Sequence, residues 1–208
     1  MERRSLLRLT LLGVGAMRSP RYRPAGLLVE YRRRRVAIDG GPGAEPAGSL
    51  DAWLVTDERS ELKLELRAAA ARRGLEFGVA AFAADGLRVE PNTVLHTSHP
   101  AFGYRIEAAG RCAVWAPEFW RFPDWAAGAD LMFAEAAGWS RPIRFAGGVG
   151  GHMAALEVAR EARARRVQRL VFAHIGRPSI RAREAGEQLP FGEWGDEGRL
   201  YLLRPGES

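Results

Sequence analysis

Cysteine is almost absent from this chain of 208 residues: Cys112 stands alone. No internal disulfide can form, and cysteine-based zinc-finger spacing is excluded. The residue sits in the apolar run C-A-V-W, where a thiol acts as a small buried hydrophobe. Lysine is nearly as scarce, since all but Lys63 of the 31 basic residues are arginine, spread along the whole chain. That bias speaks for genome composition; a nucleic-acid face would cluster its cations. Long apolar runs are missing too, and no stretch reaches the roughly 18–20 residues that a membrane helix needs. The start, Met1–Met17, has the leucines and arginines of a signal peptide. Arg8 breaks its apolar run and no small-residue cleavage site follows, so a first strand in a cytoplasmic protein is expected instead. Neither an internal repeat nor a linker divides the chain, which predicts one domain over residues 1–208.

What is present is ordinary in bulk: 47% hydrophobic and 27% charged residues, enough for a real core. The net charge of +6 favours an anionic substrate only slightly. Histidine is the informative residue. All four, His96, His99, His152 and His174, fall in the second half at predicted element edges. Two of them open the stretch Val94–Glu118, which continues through a hairpin pattern and ends on Glu118. A histidine closing one strand and a carboxylate closing another is an arrangement that metal sites use.

Short apolar runs predict strands at Leu6–Leu12, Ala25–Tyr31, Arg35–Asp39 and Asp51–Thr56, with Asp39 and its glycines closing a turn. Gly13 and Gly15 permit a tight turn after the first strand, but no third glycine or helix follows to make a dinucleotide fingerprint. Four consecutive arginines, Arg32–Arg35, read as a solvated hairpin turn. A helix is expected from Glu58 to Arg73, ended by Gly74. Strands then follow at Leu75–Phe82, Leu87–Glu90, Thr93–His96, Phe102–Glu107 and Arg111–Trp115, with turns at Asp85-Gly86 and Ala109-Gly110. A buried strand over Ala129–Ala134 leads to Glu135. The glycine loop Gly147–Gly151 precedes a helix from His152 to about Arg166, and R-L-V-F-A delivers His174. The tail shows a turn and the strand R-L-Y-L-L. Strands interspersed with helices argue for a layered α/β fold.

Taken in order, these pieces resemble the metallo-β-lactamase fold in its ribonuclease Z and phosphodiesterase-like branch. The segments that carry the resemblance span most of the chain: L-T-L-L-G-V-G with R-S-P-R-Y-R-P, V-A-I-D-G-G-P-G, H-T-S-H-P-A-F-G-Y-R-I, V-W-A-P-E, A-D-L-M-F-A-E-A-A, G-H-M-A-A-L-E-V-A and R-L-V-F-A-H-I-G-R-P. The resemblance implies an αββα sandwich, two mixed sheets packed face to face with helices outside. It also exposes a gap. The family's chief metal motif, His-x-His-x-Asp-His, should follow D-A-W-L-V-T, where this chain has Asp57-Glu58-Arg59-Ser60-Glu61-Leu62. Leucine cannot bind a metal, and arginine brings a fixed positive charge. Glu118 replaces the aspartate that bridges two metals, so the family's full dinuclear zinc centre is not expected.

What the resemblance leaves is a mixed nitrogen and oxygen site of Asp57, His96 or His99, Glu118 and His174. Such a set suits one divalent zinc, manganese or iron ion with an open water position. His152, with Glu135, matches the family's proton donor to the leaving group. The first functional reading is therefore a divergent metal-dependent hydrolase of a small phosphoester or similar ester. The second is a relative without metals or catalysis, keeping the cleft for an anionic ligand or a partner, with Arg59 paired to Asp57, Glu61 or Glu118. Nucleic acid ranks last, because the chain lacks the long clamping insertion of such enzymes; no membrane is involved, and a homodimer stays open. Each residue also has a structural reading: histidines bonding buried backbone, glutamates pairing with arginines, His152 capping a helix, and Trp115, Trp120, Trp125 and Trp139 packing in the core.

Overall fold

The computed structural model describes residues 5–206; the first four residues of the segment weighed as a signal peptide lie outside them. The chain opens with an antiparallel meander of β1 (Leu7–Gly13), β2 (Gly26–Tyr31) and β3 (Arg34–Asp39). In β1 the residues Leu7, Leu9 and Leu11 are fully buried while Arg8 faces out, as period-2 alternation requires. Arg32 and Arg33 make the exposed turn; Arg34 and Arg35 already belong to β3 and pair with Asp51, Asp85 and Glu30. Next come β4 (Ala52–Leu54), helix α1 (Lys63–Ala71) and β5 (Phe77–Gly78), with β4 parallel to both β3 and β5.

Helix α1 begins five residues later than the sequence suggested. Asp57 is the reason: its Oδ1 accepts the Arg59 backbone N–H, and its carbonyl accepts that of Ser60, which holds residues 57–60 in turns. The N-cap is Leu62, which makes no side-chain cap, forgoing the ~1 kcal/mol a serine or aspartate supplies there. One strand expected over Leu75–Phe82 is instead β5 and β6 (Phe82–Ala84), because the chain crosses here from one sheet to the other.

The second sheet is built by β6, β7 (Leu87–Val94), β8 (Ala101–Ala108), β9 (Arg111–Ala116), β10 (Leu131–Ala136), β13 (Leu170–Ile175) and β14 (Glu193–Trp194). Strand β7 runs unbroken through Pro91, where two strands were expected. Pairing with β6 ends at Val89, so the missing N–H of Pro91 faces no partner on that side. The residue pairs Asp85-Gly86 and Ala109-Gly110 turn the hairpins with positive φ throughout. A two-stranded ribbon of β11 (Ile143–Arg144) and β12 (Gly151–His152) crosses the end of this sheet. Helix α2 (Ala155–Ala164) therefore starts after His152, which is drawn into β12. Helix α3 (Arg177–Glu184) replaces an expected turn; Pro178 sits in its first turn, where a missing N–H costs nothing. Finally β15 (Leu200–Leu203) pairs with β1 and closes a six-stranded sheet, β15-β1-β2-β3-β4-β5, which faces the seven-stranded β14-β13-β10-β9-β8-β7-β6.

The main core lies between the sheets around Leu9, Leu27, Trp115 and Phe133. A smaller one packs Leu66, Ala69 and Ala70 of α1 on Trp53 and Val55, and α2 rests against β10 and β13. This is the αββα sandwich that the resemblance implies. No helix among the described residues is long and apolar enough to cross a membrane.

Candidate functional site

Strands β3, β4, β9, β10 and β13 all end at one edge of the sandwich, because parallel neighbours carry their carboxyl ends to the same side. Asp39, Asp57, Glu118, Glu135 and His174 lie at or just beyond those ends. Strand β7 has the same direction and delivers His96, and β12 brings His152 across. The result is a cleft of about 560 Å³ floored by His96, Glu118, His152 and His174.

Two local distortions aim these groups. Between Ala134↔Phe172 and Ala136↔Ile175 the strand β13 carries one extra residue, and His174 takes φ 56°. A histidine in the left-handed region is uncommon, and such strain concentrates at functional sites. The second is the glycine loop. The His96 carbonyl accepts the Gly151 N–H at 2.9 Å, and the Gly151 carbonyl in turn receives His96 Nδ1 at 2.9 Å. Gly150, at φ 139°, lies so close that an added Cβ would sit 1.9 Å from the His96 oxygen.

The floor is one chain of acid–base contacts. Glu118 reaches His96 Nε2 at 3.1 Å with one oxygen and His174 Nε2 at 2.7 Å with the other. Glu135, with no solvent exposure, receives His152 Nδ1 at 2.7 Å and His174 Nδ1 at 3.3 Å. It also accepts the backbone N–H groups of Phe119 at 3.2 Å and Ala137 at 2.7 Å. Four donors saturate that carboxylate. Since Gly151 and Glu135 can only accept, all three imidazoles have Nδ1 anchored and Nε2 turned to the cleft. The rings crowd together, His96 to His152 at 4.8 Å and His152 to His174 at 5.3 Å, and Phe145 packs edge-on against His96 and His152.

Charge follows from this crowding. Burial opposes a cation at His174, but the Glu118 charge and the bonds to Glu118 and Glu135 override it and lift its pKa to about 10. Burial likewise opposes the anions, yet the His174 cation and the His96 bond hold Glu118 well below the usual carboxylate range. His152 and His174 together bring Glu135 down to about 2 against the same burial. His96 is raised, with the Glu118 bond outweighing burial. The His174 ring thus faces both carboxylates as a favoured cation.

The other residues singled out in the sequence are placed differently. Asp57 is buried and pairs with His99 Nε2 at 2.9 Å, forming a separate pair on the wall. Arg59 is exposed at the cleft rim, and among the described residues no carboxylate pairs with its side chain, so the ion pair expected inside the cleft is not made. Trp115 and Trp139 are buried in the core, while Trp120 and Trp125 are half-buried away from the floor. One residue read as a turn former belongs to the cleft. Asp39 accepts the Thr56 N–H and hydroxyl and the Trp115 indole N–H, and burial pushes its pKa up to about 6. Its signal was present: V-A-I-D ends a strand on a carboxylate just as V-W-A-P-E does.

Glu135, His152 and His174 offer ligand atoms within 4.8 Å of one another, a spacing a metal ion can span. The saturation of Glu135 by four donors assigns it instead to holding the two histidines. Turned to the cleft are also Nε2 of His152 and Nε2 of His96 and of His174, with the Glu118 carboxylate between the last two. These are donor types that a divalent cation accepts, but among the described residues only the Glu135, His152 and His174 atoms share the 4.8 Å spacing.

No family model matches the sequence, and no curated protein matches it significantly. Solved structures do. The metallo-β-lactamase fold protein YhfI from Bacillus subtilis superposes with a TM-score of 0.75 at 16% identity, over 96% of this chain and 100% of that one. A diphosphatase from the PhnP family gives 0.70 at 19% identity, over 96% and 98%. Zinc-bound PqqB from Methylobacterium extorquens gives 0.70 at 14% identity, over 94% and 100%. The chain has the metallo-β-lactamase fold.

Proposed function

We propose that the chain is a metal-dependent hydrolase of a small phosphoester or similar ester, working with one divalent cation. One observation carries this reading: three imidazoles have Nδ1 anchored by an acceptor and Nε2 turned to the floor of an open cleft, two of them meeting there on the Glu118 carboxylate. His96, Glu118 and His174 would hold the cation, of which zinc, manganese and iron all suit the donors. When bound, such an ion supplies Lewis acidity and acidifies a water to a pKa of about 7. Glu135 keeps His152 and His174 in one tautomer each. His152 Nε2, its other nitrogen fixed to Glu135, is the group to protonate the leaving oxygen. Asp57 is engaged by His99 and is left out of the ligand set, as is His99 itself. The PhnP-family protein of similar fold is a diphosphatase, which supports this reaction class here through the shared fold only.

Metal analysis of protein purified without chelator, paired with turnover of bis(4-nitrophenyl) phosphate, tests the reading. About one equivalent of metal in the wild type, lost with activity in His174→Ala, is the expected result. A wild type without stoichiometric metal overturns it. That outcome would favour a second reading, a non-catalytic cleft for an anionic ligand, which the pairing of Glu118 and Glu135 with their own histidines supports.

A further inference from the structure

The cleft's floor is polar, but its walls are not. Met17 and Ile143 stand at the rim 53% and 37% exposed, and large apolar side chains in water mark a binding surface when they cluster around a cavity. Leu62 and Pro24 continue that wall inward; both lie within 3.5 Å of where a Cβ on Gly41 would be. Phe145 closes the far side over the imidazoles. Leu62, half-buried at the N-cap of α1, packs on the helix's small core and also lines the cleft. On the floor every carboxylate is already matched by hydrogen-bond donors, whereas Arg59 at the mouth has no carboxylate partner among the described residues.

We infer that the cleft selects esters with an apolar body: a phosphoester whose phosphoryl group meets the histidines and whose alkyl or aryl group lies against Met17, Pro24, Leu62, Ile143 and Phe145. This rests on the hydrolase reading of the same cleft, and it names the substrate class that reading leaves open. A volume of about 560 Å³ falls within the range of sites that enclose small organic ligands. Each methylene buried there strengthens binding roughly fourfold, the equilibrium equivalent of the usual transfer free energy.

Calorimetric titration of the purified protein with methyl-, butyl-, hexyl- and octylphosphonate tests the inference without requiring turnover. Affinity is expected to climb by two orders of magnitude or more across the series. In Leu62→Ser, where serine can cap the helix and keep it folded, the slope against chain length falls by half or more. Equal affinity along the series in the wild type, or no binding of any member, overturns the inference. The two ideas fail separately. A steep series in protein without metal or turnover removes the hydrolase and leaves the apolar selectivity, whereas a flat series with turnover intact removes only the selectivity.

Discussion

The two walls of the cleft have different origins. On the side of the seven-stranded sheet, His96, Glu118, Glu135, His152 and His174 form a continuous buried network in which nearly every polar atom has a partner. On the side of the six-stranded sheet, the loop after β4 offers an exposed Arg59, an apolar Leu62 and an Asp57 engaged by His99. The first wall is built from strand ends braced by the core, so its groups are costly to change singly. The second is a loop beyond a strand end, where Arg59 is exposed and the fold asks less of each side chain.

Glu135→Ala should break the contrast most severely. It strands two imidazoles and two backbone N–H groups inside the protein, a loss of about 3–5 kcal/mol in urea unfolding. A loss under 1 kcal/mol would mean the network is ornamental. Gly150→Ala comes next. Its Cβ would collide with the His96 carbonyl at a φ of 139°, and about 2–3 kcal/mol should go, with His96 displaced from Glu118.

The pH profile of metal-free protein sharpens the same point. His174 has its pKa raised from 6.5 to about 10, so its contribution is full below pH 6.5 and lost as pH rises towards 10. Glu135 has its pKa lowered from 4.5 to about 2, so its contribution is full above pH 4.5 and lost as pH falls towards 2. Melting temperature should peak between these limits and fall on either side, by the equivalent of roughly 2 kcal/mol by pH 9. A profile flat from pH 6 to 9 would count against an imidazolium at His174. On the opposite wall, Arg59→Ala should move stability by less than about 0.5 kcal/mol. A larger loss would show that this turn is braced after all.

Much of the sandwich was legible because its signals are local. Alternation marks β1 and short apolar runs mark β2 and β3, and Asp85-Gly86 and Ala109-Gly110 announce their hairpins with residues that accept positive φ. Helix α1 starts later than its pattern suggests because Asp57 bonds its own backbone, and His152 belongs to β12 and not to a helix because its partner Ile143 lies nine residues earlier. Within the site, the histidines and both glutamates were visible as chemistry-bearing residues at element edges, whereas Asp39 looked like a turn and Phe145 like nothing in particular.

By itself the sequence determined most of the long strands, the departure of Asp57–Leu62 from the family's motif and the set of residues able to do acid–base work. Those depend on periodicity, turn chemistry and side-chain type, which act over a few neighbours. Only the tertiary structure decided that His99 meets Asp57 across 42 positions while His174 meets Glu135 across 39. It also decided that one extra residue in β13 turns His174 between two carboxylates. Such pairings are set by how two sheets pack and where a strand bulges, and no short stretch of chain carries that information.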